Sequence, residues 1–173
     1  MITANYLGMP LELDDTLDNE NREYFACCAK HEFRLQRCCN CHLFRYPPQT
    51  ACPWCTDLKA DWVPVEGKGT VHSYTEVHHA IQPAFKQHVP YLILLVELDT
   101  QSGKPTATEG LRVIGNLTTA DGTLAPKEQV ARVGIGTRMR MVFTDVAPGL
   151  ALPQWTIDEA ADSKGEAWRY RPD

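Results

Sequence analysis

Five of the chain's seven cysteines lie between residues 38 and 55, in the segment CCNCHLFRYPPQTACPWC. Cys38 and Cys41 form one Cys-x-x-Cys pair, and Cys52 and Cys55 form a second. Two such turns let four thiolates converge on one ion, which is the ligand set of a structural zinc ribbon. The spacing therefore predicts a closed four-thiolate Zn²⁺ site that holds this segment together.

Two neighbouring side chains, Cys39 and His42, could replace a ligand of the first pair. The spacing of the first pair mirrors that of the second, so we assign the ligands to the two pairs. Four thiolates suit zinc and iron alike, and an iron-binding electron carrier stays open as a minor alternative. Colour separates the two metals, because iron thiolate absorbs visible light and zinc thiolate does not.

The second pair, Cys52-Pro53-Trp54-Cys55, could alone also be a redox dithiol. A thioredoxin-type dithiol lies at the N-terminus of a helix, which lowers the pKa of the thiol. The residues after Cys55, TDLKADWVPVEG, contain Pro64 and Gly67 and predict no long helix. A redox role would also leave the first pair unexplained, so the metal site is favoured.

The composition bounds the class of protein. The chain has 173 residues, a formal net charge of −5 and 43% hydrophobic residues. This length allows one to two small domains, and no stretch approaches the roughly 18 apolar residues of a membrane span.

The N-terminus, MITANYLGMPLELDDTLDNEN, lacks the basic and apolar regions of a secretion signal, so we expect a soluble cytoplasmic protein with reduced thiols. The acidic balance opposes a dedicated nucleic-acid binder, because such proteins neutralise phosphates with Lys and Arg.

The N-terminal part is predicted as an extended arm over residues 1–17 followed by a helix over residues 19–30. Asp18 is a suitable N-cap for this helix. Apolar residues recur on one face of the helix, so Cys27 and Cys28 are predicted to pack in the core, as free cysteines usually do.

Short β-strands make up most of the remaining chain. Their residues alternate or form apolar runs, and turn signals such as Asp121-Gly122 separate them. Gly115 is interpreted as a β-bulge. Short strands with few helices predict a small barrel such as the OB-fold, although periodicity does not separate a barrel from a sandwich. Strands are predicted at residues 33–37, 69–77, 91–98, 111–117, 138–146 and 151–157.

Together these elements predict a mainly β protein with an N-terminal helix, a four-cysteine zinc ribbon, a small OB-fold barrel and a C-terminal tail. The tail is polar but ends in Trp168-Arg169-Tyr170-Arg171. It either packs on its own domain or docks on a partner, since Trp, Tyr and Arg are enriched at interfaces. The expected boundaries are 1–36 for the arm and helix, 37–62 for the ribbon, 63–157 for the barrel and 158–173 for the tail.

The order of these motifs resembles the acyl-CoA-associated OB-fold family with a rubredoxin-like zinc ribbon. The resemblance covers roughly residues 19–157. It rests on the helix sequence NREYF, the two cysteine pairs, the step from Gly67 to Gly69-Thr70-Val71, the strand PYLILLVEL and the strand GTRMRMVF. The helix is similar to that of members that pair with thiolase-fold proteins acting on steroid side-chain acyl-CoA.

The resemblance implies a non-catalytic subunit in a hetero-oligomer with a thiolase-fold protein. In such a complex the ribbon helps to dock the partner, and the OB domain helps to handle the acyl-CoA ester. The partner would cleave a carbon–carbon bond, either by retro-aldol cleavage of a steroid side-chain CoA ester or by thiolysis. We expect the docking surface on the ribbon and the tail, at Leu43, Phe44, Tyr46, Trp54, Trp168 and Tyr170.

No catalytic residue is assigned in this chain, because no nucleophile-and-base spacing accompanies its six histidines. His78 and His79 are predicted at the surface, and Glu97 is expected to pair at the exposed end of its strand. CoA phosphates require cations, but charge alone does not select among the candidates, which are Arg37, Arg45, Lys68, Lys86 and Arg112.

The alternative function is single-stranded nucleic-acid binding by the ribbon and barrel. Bases would stack on Tyr74, Tyr91 and Phe143 in a basic groove. The acidic net charge opposes this function, and salt-dependent binding of an oligonucleotide would support it.

Overall fold

The computed structural model describes residues 2–13, 19–161 and 167–170, and its fold is mainly β, as predicted. Neither helix in these ranges has the length and apolar character needed to cross a membrane. The predicted N-cap Asp18 lies outside the described residues. Short 3₁₀ turns cover Pro83–His88 and Asp99–Gln101. The strands and helices are β1 (Ile2–Tyr6), β2 (Met9–Leu13), α1 (Asn19–Cys28), β3 (Arg34–Cys38), β4 (Phe44–Arg45), β5 (Ala60–Pro64), β6 (Lys68–Val77), β7 (Tyr91–Leu98), β8 (Arg112–Asn116), α2 (Lys127–Arg132), β9 (Arg138–Ala147) and β10 (Leu150–Ile157).

Five antiparallel strands form the C-terminal barrel, in the order β10-β9-β6-β7-β8. The sequence predicts each of them to within one residue of its bounds. A parallel bridge between Leu117 and Trp155 joins the two outer strands and closes the barrel. This closure shows that the fold is an OB barrel and not a two-sheet sandwich. The periodicity of the sequence could not decide between the two. Alternate residues of β7 fill the interior: Leu92, Leu94, Val96 and Leu98.

Trp155 in β10 is fully buried where the barrel closes. Its indole N–H donates to the Val113 carbonyl at 3.2 Å, and its own carbonyl accepts from the Thr118 backbone N–H at 2.8 Å. Gly115 leaves room for the ring, since a Cβ there would lie 2.9 Å from Cδ1 of Trp155. The interpretation of Gly115 as a bulge is wrong, because β8 pairs with β7 in continuous register through this residue.

We expect Trp155→Phe to lower the free energy of unfolding by about 1–3 kcal/mol, because the buried Val113 carbonyl loses its donor. Urea denaturation of the purified chain measures this loss. Trp62→Phe is the control, since Trp62 in β5 is only partly buried. Equal losses in the two variants would contradict the role of Trp155 in closing the barrel.

One hydrophobic core joins α1, the cysteine segment and the barrel. Tyr24 and Cys28 of α1 are buried in it together with Phe33 and Leu35, which lead into the first cysteine pair. Cys27 is also buried, so the predicted packing of both helix cysteines is confirmed. Burial raises the pKa of the Cys28 thiol to about 12, which makes this cysteine an unreactive packing residue.

The predicted N-terminal arm is wrong in its secondary structure, since β1 and β2 form an antiparallel hairpin. Gly8 occupies the turn with a φ of +92°, and its N–H donates to Oδ1 of Asn5 at 2.7 Å. Tyr6 packs on Phe85, with ring centroids 6.0 Å apart. The alternation of apolar and polar residues in ITANY, followed by a glycine, is the signal that could have predicted this hairpin.

The last described segment of the chain packs on the barrel. Trp168 and Ile135 exchange two backbone hydrogen bonds of 2.9 Å. Arg169 points inward, where it donates to two backbone carbonyls at the end of α2 and pairs with Glu76. Trp168 and Tyr170 are 59% and 71% exposed. The segment is therefore anchored by its backbone and Arg169, and docking by its aromatic side chains stays a prediction.

Candidate metal centre

The two cysteine pairs form matching turns beside the three-stranded sheet β4-β3-β5. In the first turn the His42 N–H donates to the Cys38 carbonyl at 3.1 Å, and in the second the Thr56 N–H donates to the Cys52 carbonyl at 2.9 Å. His42 and Thr56 have φ values of 61° and 63°. Glycine is common at such positions, because a Cβ in this conformation costs about 1–2 kcal/mol. The turns keep the left-handed geometry although neither position holds glycine.

The four predicted ligands converge on one point. Their Sγ atoms all lie within 4.8 Å of one another. The Sγ atoms of Cys38 and Cys55 are 3.5 Å apart, as are those of Cys41 and Cys52. Bonds of about 2.3 Å to zinc place the sulfurs of a tetrahedral site about 3.8 Å apart, so the cluster fits such an ion. All seven cysteines are free of disulfides. That the four thiolates bind zinc stays a prediction.

The electrostatic surroundings of the sulfurs differ. A hydrogen bond from the Asp57 backbone N–H lowers the pKa of the Cys55 thiol to about 6. Desolvation raises the pKa of the Cys41 thiol to about 12. A metal binds thiolates, so the lowered pKa of Cys55 prepares this ligand near neutral pH, whereas Cys41 releases a proton as the ion enters.

A buried glutamine side chain connects the ribbon to the barrel. Gln101, which is 5% exposed, accepts a hydrogen bond from the Phe44 N–H at 2.7 Å and donates to the Phe44 carbonyl at 3.3 Å. After Cys55 the chain continues into β5, which pairs with β3, and no helix lies between Cys55 and β5. The redox alternative therefore lacks the helix that it requires.

The six predicted docking residues divide into two groups. Phe44 and Tyr46 pack against the core, where the Tyr46 ring lies 5.9 Å from that of Tyr24. Leu43 is half-buried. The exposed rings are those of Trp54, Trp168 and Tyr170. Phe44 and Tyr46 thus support the ribbon, and the exposed rings offer the larger area to a partner.

The five candidate cations lie in different surroundings. Arg45 is buried, which charge alone could not show. Lys68 and Arg112 each pair with a glutamate, at 2.8 and 3.1 Å. Arg37 and Lys86 are exposed. No CoA-binding set follows from these positions, and the CoA contacts stay unassigned.

Glu97 in β7 lies in a polar cluster. Its carboxylate accepts from Arg112 Nε and from Ser102 Oγ, both at 3.1 Å, and Nδ1 of His72 lies 3.9 Å away. The predicted pairing of Glu97 is therefore confirmed. The cluster lines an open cleft of about 250 Å³ that also contains Asp99. Sequence reasoning missed His72 and Ser102. The pairing of β6 with β7 brings His72 near this carboxylate, and the 3₁₀ turn after β7 returns Ser102 to it.

The three rings considered for base stacking already have partners within the chain. The Arg169 guanidinium lies 5.4 Å from the ring centroid of Tyr74. Tyr91 contacts another ring at 5.7 Å, and Phe143 is stacked on His31 at 5.2 Å. These contacts weaken the nucleic-acid alternative, because stacking requires free ring faces.

The fold and the cysteine cluster define a class of protein, in which a four-cysteine ribbon precedes an OB-fold barrel. A family model described as the ChsH2 C-terminal OB-fold domain matches residues 62–144. The solved structure of an Ltp2-ChsH2(DUF35) aldolase aligns with a TM-score of 0.63 and 30% identity, over 83% of this chain and 98% of that chain. The chain belongs to the ChsH2-type DUF35 family of OB-fold proteins.

Two relatives extend this comparison. The chain is 36% identical over 162 residues to the 3-oxo-4,17-pregnadiene-20-carboxyl-CoA hydratase alpha subunit of Mycobacterium tuberculosis, which is 88% of this chain and 45% of that protein. It is 32% identical over 137 residues to a probable enoyl-CoA hydratase alpha subunit of Thermomonospora curvata, which is 79% of this chain and 37% of that protein. The chain thus spans less than half the length of these relatives.

Proposed function

We propose that this chain is a non-catalytic, zinc-binding subunit of a complex with a thiolase-fold enzyme that cleaves a carbon–carbon bond in an acyl-CoA. The observation that carries this proposal is the alignment over 98% of a chain in the Ltp2-ChsH2(DUF35) aldolase. An aldolase makes or breaks a carbon–carbon bond, which gives the reaction class. The resemblance of the motifs to partners of thiolase-fold proteins gives the kind of enzyme.

The names of the relatives support a CoA ester of a steroid acid as the substrate. One relative is named as a hydratase of a pregnadiene carboxyl-CoA. Hydration of an unsaturated acyl-CoA gives a β-hydroxyacyl-CoA, and a retro-aldol step cleaves such a compound. We therefore infer retro-aldol cleavage of a steroid side-chain CoA ester, with thiolysis as the second choice of reaction.

We assign the chemical step to the partner. Retro-aldol cleavage leaves an enolate, which requires oxyanion-type hydrogen-bond donors. The role of this chain is assembly of the complex and handling of the CoA ester. Cys38, Cys41, Cys52 and Cys55 would hold zinc, which supplies a rigid fold to the ribbon and no open coordination position. The ribbon then holds Trp54 in a fixed place for docking.

Coexpression with a thiolase-fold protein encoded beside this chain tests the proposal. We expect the two proteins to copurify with about one zinc ion per copy of this chain, and the complex to cleave a β-hydroxyacyl-CoA. Elemental analysis and an acyl-CoA cleavage assay measure these results. Failure to form a complex would contradict the assignment of the partner. Cleavage at full rate by this chain alone would contradict the accessory role.

A further inference from the structure

Arg45 is the one positively charged side chain that is fully buried within residues 2–13, 19–161 and 167–170, at 2% exposure. Its Nη1 donates to the Thr50 carbonyl at a long 3.4 Å, and its Nε has no hydrogen-bond partner among the described residues. None of the ion pairs between described residues includes it. A buried cation without a countercharge is costly, so its surroundings must supply negative charge.

The small sheet places Arg45 on the side that carries the cysteine cluster. Arg45 in β4 lies directly opposite Gln36 in β3. Gln36 and Cys38 are both buried on the same face of β3, and the residue between them is exposed. Thr50, which accepts from Arg45, comes two residues before Cys52. The Arg45 side chain therefore lies on the face of the sheet that carries Cys38, and its guanidinium donates to the segment that leads into Cys52.

A divalent ion with four thiolates carries a net charge of 2−. Cys38 and Cys52 are each 1% exposed, so water screens this charge poorly on their side of the cluster. A cation in the same low-dielectric region attracts the cluster more strongly than an exposed one would.

We propose that Arg45 is a positioning residue that balances the charge of the metal–thiolate cluster. It thereby raises the affinity of the ribbon for zinc and lowers the reactivity of the bound sulfurs toward electrophiles. This inference rests on the proposed zinc binding, and it adds a residue that the cysteine spacing does not point to.

Three variants test the proposal. Arg45→Met removes the charge and keeps an unbranched side chain, Arg45→Lys keeps the charge, and Lys59→Met removes an exposed charge from the same ribbon. Zinc affinity is measured by competition with a chromogenic chelator. Sulfur reactivity is measured as the rate of zinc release by iodoacetamide, which alkylates the thiolates.

We expect Arg45→Met to weaken zinc binding about tenfold, in the range seen for residues around metal ligands, and to release zinc several-fold faster. Arg45→Lys and Lys59→Met should stay close to the wild-type chain in both measurements. A structural role would instead weaken Arg45→Lys as well, because lysine does not reproduce the guanidinium contact with Thr50.

Equal zinc affinity and equal release rates for Arg45→Met and Lys59→Met would overturn the inference and leave the proposed function intact. Absence of zinc from the wild-type chain would overturn both. If Arg45→Met does not fold, Arg45→Gln takes its place, and a lysine variant as weak as the glutamine variant would overturn the charge role.

Discussion

Replacing Cys52 by serine is expected to abolish stoichiometric zinc binding and to unfold the ribbon while the barrel stays folded. Structural zinc sites contribute an apparent 10–16 kcal/mol or so in zinc-finger peptides, so losing one of four thiolates costs about 5 kcal/mol or more. The short strand β4 and the turns of the ribbon have little apolar area of their own, whereas the barrel keeps its buried interior. Elemental analysis gives the zinc content, and limited proteolysis detects new cleavage within residues 39–59.

Cys39→Ser is the matched control for this variant. Cys39 lies in the first turn but is exposed and outside the group of converging sulfurs. It should keep full zinc content and resist the protease as the unmodified chain does. Full zinc in Cys52→Ser, or an equal loss in Cys39→Ser, would show that the ligand set differs from the two predicted pairs. Removal of the metal with a chelator should reproduce the proteolysis pattern of Cys52→Ser.

The double substitution Trp168→Ala/Tyr170→Ala is expected to weaken binding to the proposed thiolase-fold partner by about 100-fold or more. Interface hot spots are enriched in Trp and Tyr and cost about 2 kcal/mol or more each when truncated. A factor of ten corresponds to about 1.4 kcal/mol, so two such losses account for this change even when they are not additive. Both rings are exposed, and Arg169 between them is anchored in the barrel. The dissociation constant is measured by calorimetry with the purified partner.

Three measurements make this prediction specific. The thermal unfolding of the double variant should change little, because the backbone bridge between Trp168 and Ile135 does not depend on the ring. Ile81→Ala, at a side chain that is 89% exposed elsewhere, should bind the partner normally. Trp54→Ala reports on the ribbon separately. Unchanged affinity in the double variant together with a loss in Trp54→Ala would move the docking surface from the tail to the ribbon.

The short-range spacing of cysteines in the sequence was enough to predict most of the candidate metal site. A Cys-x-x-Cys turn fixes its own geometry, so two matched turns predicted which sulfurs converge before any tertiary contact was known. The barrel strands could be predicted equally well, because a strand such as β7 shows the pattern of a buried β-strand in its own residues. The hairpin β1–β2 also alternates in its first strand, but only an extended arm was predicted there from the sequence. The domain boundaries at 36, 62 and 157 stay predictions, and the second falls inside β5.

Local sequence patterns could not predict contacts between segments that are distant in the chain. The ring of Trp155 reaches Val113, and Arg169 reaches Glu76. No periodicity in either segment predicts these pairs. Arg45 shows the same limit most clearly, because its type and neighbours in the sequence suggest a solvated surface charge.

Residue types at fixed short spacings were enough to predict the two cysteine pairs, the strands of the barrel and the family of this protein. Which charged and aromatic side chains are buried, paired or exposed became known only from the packing of the folded chain. Burial and pairing depend on the register of strands that are far apart in the chain, and one residue of register moves a side chain to the opposite face. For that reason Arg45 is buried although its type and sequence neighbours suggest a surface charge, while Trp168 and Tyr170 are exposed.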